Sequence, residues 1–538
     1  MIFTRRQLLK SGAALMTALG FGRVSLADAA SPVTGKILGA SAKVGHQLRG
    51  GSFPAPATTV EKDTVIIGGG IAGLAAGYRL LNAGVIDFTI LELEAETGGN
   101  AQSGKNNISA YPWGAHYVPL LTDESKPVKK LFRELGIITG EDDKGRAIYN
   151  EYYLCSDPHE RLYMFGRWQE GLVPQTGATD EDRRQYDAFF KQVEGLRNVR
   201  GKDGKKLFAI PVDDSSQDAE WLALDTLTMR EWMMREGYTS KYLQWHVDYG
   251  CRDDYGVTLD DTSAWAGIHY FAGRSGVAAN TDDSNFVTWP EGNGFIARKL
   301  AAPLAGNITT QALVFAVKRE DERVTVDYLD QKTGSAHRIS ARTVIMATPQ
   351  FVSARLLPEV SAENFTYAPW AVANITLDRL PEGTGAELSW DNMVYDSKLL
   401  GYVVATHQGL ETNPRKTVLT YYWPLSHLPP KQAREEALAR SYGQWRDIFL
   451  GELLAVHPEL KGFVKSLDVW IWGHAMVRPV KGFMWGDARR NALKQAPPIF
   501  HAHSDMSGIS IFEEAYIHGV RAAENTLKHL GHKFESEL

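Results

Sequence analysis

The chain is short of three things. Cysteine occurs twice in 538 residues, as Cys155 and Cys251. That excludes a disulfide framework. The two thiols can pair in an oxidising compartment or stay free, and their spacing suggests neither a metal site nor thiol catalysis. Long apolar runs are also missing: no segment approaches twenty apolar residues, so no transmembrane segment is expected. Basic excess is the third absence. With 58 Lys and Arg against 64 Asp and Glu, the net charge is −6 and no long basic run occurs, which argues against a nucleic-acid partner. What remains is ordinary for a globular protein, at 44% hydrophobic and 23% charged residues. The length suffices for two or three domains. Fourteen Trp and twenty-one Tyr are plentiful. Most belong in cores and domain interfaces, and some suit a pocket for a planar or cationic ligand.

Residues 1–29 stand apart from the fold. Arg5 and Arg6 are followed by Leu8, Leu9 and Lys10, a weakly apolar run from Gly12 to Gly22, and then Ala27-Asp28-Ala29. This order resembles a twin-arginine export signal with a peptidase site. The resemblance implies the twin-arginine export machinery as a partner and a periplasmic or secreted location. That route carries proteins already folded, often with a cofactor in place. Cleavage after Ala29 removes Arg5, Arg6, Lys10, Arg23 and Asp28, a net +3, so the mature chain carries −6 − 3 = −9. Residues 30–60 read as a linker or a strap on the domain surface.

The stretch TVIIGGGIAGLAAGYRLLNAG, Thr64 to Gly84, predicts a buried strand, a glycine turn and a helix that stops at Gly84. A second strand, DFTILE, ends on Glu92. Such a βαβ unit holds a dinucleotide. Gly68 permits the tight turn, Gly70 lets the backbone approach a pyrophosphate, and Gly73 lets the helix pack on the sheet. Ala72 lies in the first helical turn, whose free N–H groups favour phosphate. Glu92 accepts hydrogen bonds from ribose hydroxyls.

Six residues past Glu92 come Gly98 and Gly99, in LELEAETGGNAQS, and then YPWGAHYV (Tyr111–Val118). Here the sequence resembles the flavin-containing amine oxidase superfamily, with Asn100 where the family commonly has arginine. PEGNGFIARKLA (Pro290–Ala301) and a strand ending in Ala347-Thr348-Pro349 continue the likeness, as does FHAHSDMSGISIFEEAYIHG near the C-terminus. The resemblance implies bound FAD, with Val314 against the adenine and Asp505 on the ribitol. Ile511 and Phe512 then begin a helix whose N-terminal end faces the flavin. Neither cysteine lies in an attachment motif, so the FAD is expected to be non-covalent. The fold expected is α/β: a discontinuous Rossmann-like FAD-binding domain (61–120, 286–350 and 471–538) with an inserted mixed α+β substrate domain (121–285 and 351–470).

Catalytic candidates are fewer. The family's lysine facing the flavin corresponds to Asn374 in YAPWAVANITL, so the usual lysine-held water is not expected. Trp470, Trp472 and His474 alternate in DVWIWGHAMVRP, which would put them on one side of a strand. With Tyr421, Tyr422 and Trp423 they suggest an aromatic cage, against the plainer reading of an interdomain core. His116 and His503 lie near the flavin motifs. His116, Trp472 and His474 are the candidates for catalysis, and no metal site is expected. The function expected is that of an FAD-dependent oxidoreductase moving a hydride from an amine or amino-acid-like small molecule to the flavin. The alternatives are a desaturase or isomerase working on a C–C bond, and a non-catalytic flavoprotein. The electron acceptor is not legible.

Overall fold

β-branched residues in Thr58–Ile67 form a ten-residue strand at the centre of a seven-stranded sheet. Phe88–Leu91 pairs parallel to it on one side and Ala336–Met346 on the other. Ile308–Thr309 extends the parallel set beyond Phe88–Leu91, and Ile499–His501 joins it alongside Val344–Met346. Ala312–Arg319 and Val324–Asp330 complete the sheet as antiparallel strands. The computed structural model describes residues 33–411 and 413–538. The export-type segment 1–29 lies outside the described residues.

Two helices cover one face of this sheet. Ile71–Asn82 follows the glycine turn, and Phe512–Leu530 packs against it. The contact is close because Gly519 has no side chain: a Cβ there would lie 2.3 Å from the Ala72 carbonyl oxygen. A buried ion pair, Arg79 to Glu524 at 3.1 Å, ties the two helices together.

A second large sheet has eight strands. From one edge its strands run Ile37–Gly39, Val464–Val477, Tyr367–Leu377, Thr417–Pro424, Tyr402–Val404, Asp391–Val394, Glu160–Met164 and Arg167–Glu170. Helices Asp180–Leu196, Lys241–Tyr255 and Ala264–Ala272 pack into a separate apolar cluster beside it. Thr179 and Thr228 cap two helices by reciprocal bonds with Asp182 and Glu231.

Two expected boundaries shift. The cut at 470/471 falls inside Val464–Val477, a strand continuous across it. Residues 33–60 are not a free linker. Ile37–Gly39 pairs with Val469–Ile471, and Thr58–Val60 already belong to the central nucleotide strand. Cys155 and Cys251 are both free and buried, and burial pushes both thiols far up. Among the described residues, no helix is long and apolar enough to cross a membrane, and no group of His, Cys, Asp or Glu is set to hold a metal.

Candidate active site

The glycine turn has the shape its residues dictate. Gly68 sits at φ 107°, and a Cβ there would meet the Ala347 carbonyl oxygen at 2.3 Å. A Cβ on Gly73 would lie 1.9 Å from the Gly68 carbonyl oxygen. Gly70 differs: the nearest atom to a Cβ there is the Gly99 Cα, at 3.9 Å, so its outer face is open. Gly98 and Gly99 lie beside it at φ 126° and 55°, and the Gly98 N–H donates to the Gly69 oxygen at 2.8 Å. Ala72 is buried in the first turn of Ile71–Asn82, whose N-terminus has no side-chain cap. An open glycine face beside free helical N–H groups fits a dinucleotide diphosphate.

Glu92 is 8% exposed and accepts from the Gly69 N–H at 2.6 Å and the Glu94 N–H at 2.8 Å. It braces the turn, and burial raises its carboxyl to about 7. Val314 is buried beside Leu91, next to a bulge that lets Phe315 stack on Phe53 with centroids 4.3 Å apart.

Asp505 is buried and accepts from the Tyr367 hydroxyl at 2.6 Å and the Gln350 N–H at 2.8 Å. Burial alone would raise its carboxyl. His503, 3.1 Å away, and these donors outweigh that and hold it below the usual range. Ile511 is the N-cap of Phe512–Leu530 and offers no capping side chain, while the Glu513 carboxyl accepts from its own N–H in that first turn. The Phe512 ring itself is core, beside Phe132 and Tyr516.

The three catalytic candidates do not converge. Trp472 packs into an aromatic wall with Trp470 and Trp113, its Nε1–H donating to the Trp113 oxygen at 2.6 Å. His474 leaves that face. Trp370 is opposite Trp472 and Ala368 opposite Met476, so residues 473–475 face Pro369 alone. This bulge turns His474 onto Phe351, at 4.5 Å, and Tyr367, at 5.9 Å. Burial and then Arg434, Arg49 and His46 lower its imidazole to about 4. His116 stacks on Tyr422 at 4.5 Å and leans on Trp390 at 5.4 Å. Burial lowers it to about 4 as well, so near neutral pH it is an uncharged aromatic wall rather than a base. Of the YYWP pair, Tyr422 faces this wall and donates to the Gly114 oxygen at 3.0 Å, while Tyr421 faces Tyr402 and Phe449. Asn374 is 3% exposed; it donates to the Pro112 oxygen at 3.0 Å and accepts from Thr420 at 2.6 Å.

The acids with most chemistry were not among the candidates, whereas His116 was. His116, Tyr117, Phe286, Trp390 and Tyr422 pack together as an aromatic chamber wall, with neighbouring rings 4.5 to 6.1 Å apart. The chamber is anchored to the nucleotide loop: the Trp113 N–H donates to the Gln102 oxygen and the Ala115 N–H to the Asn100 oxygen, each at 2.9 Å. Acids meet at its other side. Asp391 accepts from the Tyr249 hydroxyl at 3.2 Å, and its register partner on the adjacent parallel strand is Glu160. Asp253 is bonded by Tyr117, and Asp254 pairs with Arg274, whose guanidinium lies over the Tyr270 ring at 4.3 Å and the Tyr117 ring at 5.6 Å.

The surrounding protein raises Glu160 to about 7 although the residue keeps accessible surface. Burial and then repulsion from Asp254 bring Asp253 to about 7. Asp391 is pushed well above the usual range by burial and by Glu160 and Asp253. Four carboxyls thus outnumber the Arg274 guanidinium. The available signal was the acid pair Asp253-Asp254 in the last turn of Lys241–Tyr255.

The comparisons agree with this architecture. A family model described as an NAD(P)-binding Rossmann-like domain matches residues 66–135. L-amino-acid oxidase of Bothrops pauloensis is 34% identical over 148 residues, which cover 27% of this chain and 28% of that protein. The match therefore spans little more than a quarter of the relative. Cyclohexylamine oxidase from Brevibacterium oxydans superposes with a TM-score of 0.63 at 14% identity, over 88% of this chain and 100% of that one. Wild-type putrescine oxidase bound to putrescine gives 0.61 at 14%, over 87% and 100%. A CLA-producing fatty acid isomerase from P. acnes gives 0.58 at 15%, over 87% and 98%. The chain therefore shares its fold with these enzymes.

Proposed function

We propose that this protein is an FAD-dependent oxidoreductase that oxidises a cationic amine. The observation that carries the reading is the acid cluster of Glu160, Asp253 and Asp391 facing an aromatic chamber. An ammonium group suits this setting: carboxylates attract it, and aromatic faces stabilise it where water is excluded. An apolar substrate for C–C chemistry would bring no cation to offset the charge of the same carboxyls. A carboxylate substrate would meet net negative charge, with Arg274 already paired to Asp254.

Gly68, Gly70, Gly73, Gly98, Gly99 and the start of Phe512–Leu530 would hold the cofactor. When bound, FAD supplies the hydride acceptor. The chain's own residues bind and orient the amine. The amine must lose its ammonium proton before its C–H bond can be oxidised, and a carboxylate with a pKa near neutrality is a suitable acceptor. Asp253 or Glu160, both at about 7, can take that proton. His116, Tyr422 and Trp390 hold the chamber walls and keep water out.

The FAD is proposed to be non-covalent, since Cys155 and Cys251 are both buried with strongly raised thiols. The Arg5-Arg6 signal supports export by the twin-arginine route to the periplasm or exterior. The purified protein, mixed without oxygen with separate pools of amines, amino acids and unsaturated fatty acids, tests the reading. Amines should bleach the oxidised flavin band. Bleaching by amino acids alone, or by none of the pools, would overturn it.

A further inference from the structure

The segment between Gly39 and Thr58 crosses the carboxyl ends of the parallel strands, where α/β sheets bind ligands. Ser41 donates through its N–H and its hydroxyl to the Glu94 carboxylate, at 2.8 and 2.7 Å. A Cβ on Gly45 would touch Leu93 at 3.5 Å, Leu48 packs on the core around Val314 and Leu91, and Phe53 stacks on Phe315. The strap is therefore anchored on both sides of the Glu92 end of the nucleotide site.

Between those anchors it carries His46 and Arg49, both exposed. They lie within electrostatic reach of His474, as does Arg434. Arg434 is fixed by donating to the Tyr367 oxygen at 3.3 Å and the Gly473 oxygen at 3.5 Å. Two residues on, the Ala475 oxygen accepts from the Asn100 side chain, so this basic group borders the Gly98-Gly99 loop. Tyr367 in turn donates to Asp505. Among the described residues, neither Arg49 nor Arg434 has a carboxylate in ion-pairing contact, and each depresses a neighbour's proton affinity. Two guanidiniums gathered here, with Glu435 acting on Arg434 without pairing to it, call for an anion. The loop beside them offers the neutral Asn100 in the same place.

From this geometry we infer that Arg49 and Arg434 bind the diphosphate of the dinucleotide, with the strap as the roof of the site. The inference rests on the dinucleotide reading of the glycine turn but not on amine oxidation. Arg49 belongs to the strap alone and is exposed, so replacing it leaves the fold intact.

The test measures FAD release from the loaded full chain by the return of free-flavin fluorescence. It also measures how well ADP and adenosine hinder FAD rebinding. Arg49→Gln and Arg434→Gln should each release FAD about tenfold faster and weaken ADP about tenfold, the loss of one charge-assisted hydrogen bond. Adenosine should be unaffected, and Arg49→Lys should recover part of the loss. Unchanged FAD release in both variants would overturn the inference, as would adenosine weakened as much as ADP. If the protein carried no flavin, the proposed function would fall, and ADP against adenosine would still decide this inference.

Discussion

Glu160 and Asp391 stand directly opposite each other as register partners on neighbouring parallel strands. Like charges placed so are destabilising, and burial compounds the cost. A cationic ligand relieves both. Glu160→Gln and Asp391→Asn should each raise the apparent Kd for the amine about tenfold or more. At pH 8 each should also raise the thermal midpoint slightly, by about 1 °C per kcal/mol in a chain of this size. Calorimetry and binding titrations on the same preparations check both halves.

The raised acids also set a pH dependence. Glu160 and Asp253, at about 7, bind protons more tightly in the folded than in the unfolded state. The stability they contribute is full below the ordinary carboxylate range near 4 and is lost as pH rises through 7. Amine affinity runs the other way. An alkyl ammonium stays charged across this window, so its binding should strengthen as the acids ionise between pH 6 and 8. Amine titrations at pH 6 and pH 8, with melting curves at both, read the two opposite slopes.

The three glycines of the nucleotide turn should separate folding from binding. Gly73→Ala puts a carbon 1.9 Å from the Gly68 oxygen and should cost several kcal/mol, of the order of ~3, seen as a lowered denaturant midpoint. Gly70→Ala meets nothing nearer than 3.9 Å, so the folded chain should keep its midpoint while losing FAD. Urea unfolding and flavin content report these separately.

Asn374 should be structural. Its amide bridges the Pro112 oxygen and Thr420, bracing the segment that leads to the chamber. Asn374→Leu leaves two buried groups without a partner and should cost ~2–4 kcal/mol in unfolding free energy. Asn374→Lys, which restores the residue type the superfamily resemblance calls for, should destabilise at least as much, because that site is filled.

The nucleotide half of the site was legible because its signals are local. A strand, three glycines, a helix and an acid lie within thirty residues, and the turn at Gly68 and the packing at Gly73 can be made by glycine alone. The helix start at Ile511-Phe512 was legible for the same reason. The chamber was not. Glu160 and Asp391 are far apart in sequence and meet only because their strands pair in parallel, which no local pattern records. His474 misled for a more particular reason. Strand alternation puts it on the side of Trp472, but Pro369 cannot donate to the ladder, and the bulge opposite it turns three residues out of register. Gly519 was also unread: its role appears only when the terminal helix is laid against Ile71–Asn82.

The most direct test of the account is anaerobic reduction of the bound flavin by the best amine, followed against amine concentration in wild type, Asp253→Asn and Asp391→Asn. The account predicts bleaching in the wild type and, in both variants, a half-saturating concentration raised about tenfold or more. Saturation at wild-type concentrations in both variants would contradict it, because the amine would then be held by something other than the acid cluster.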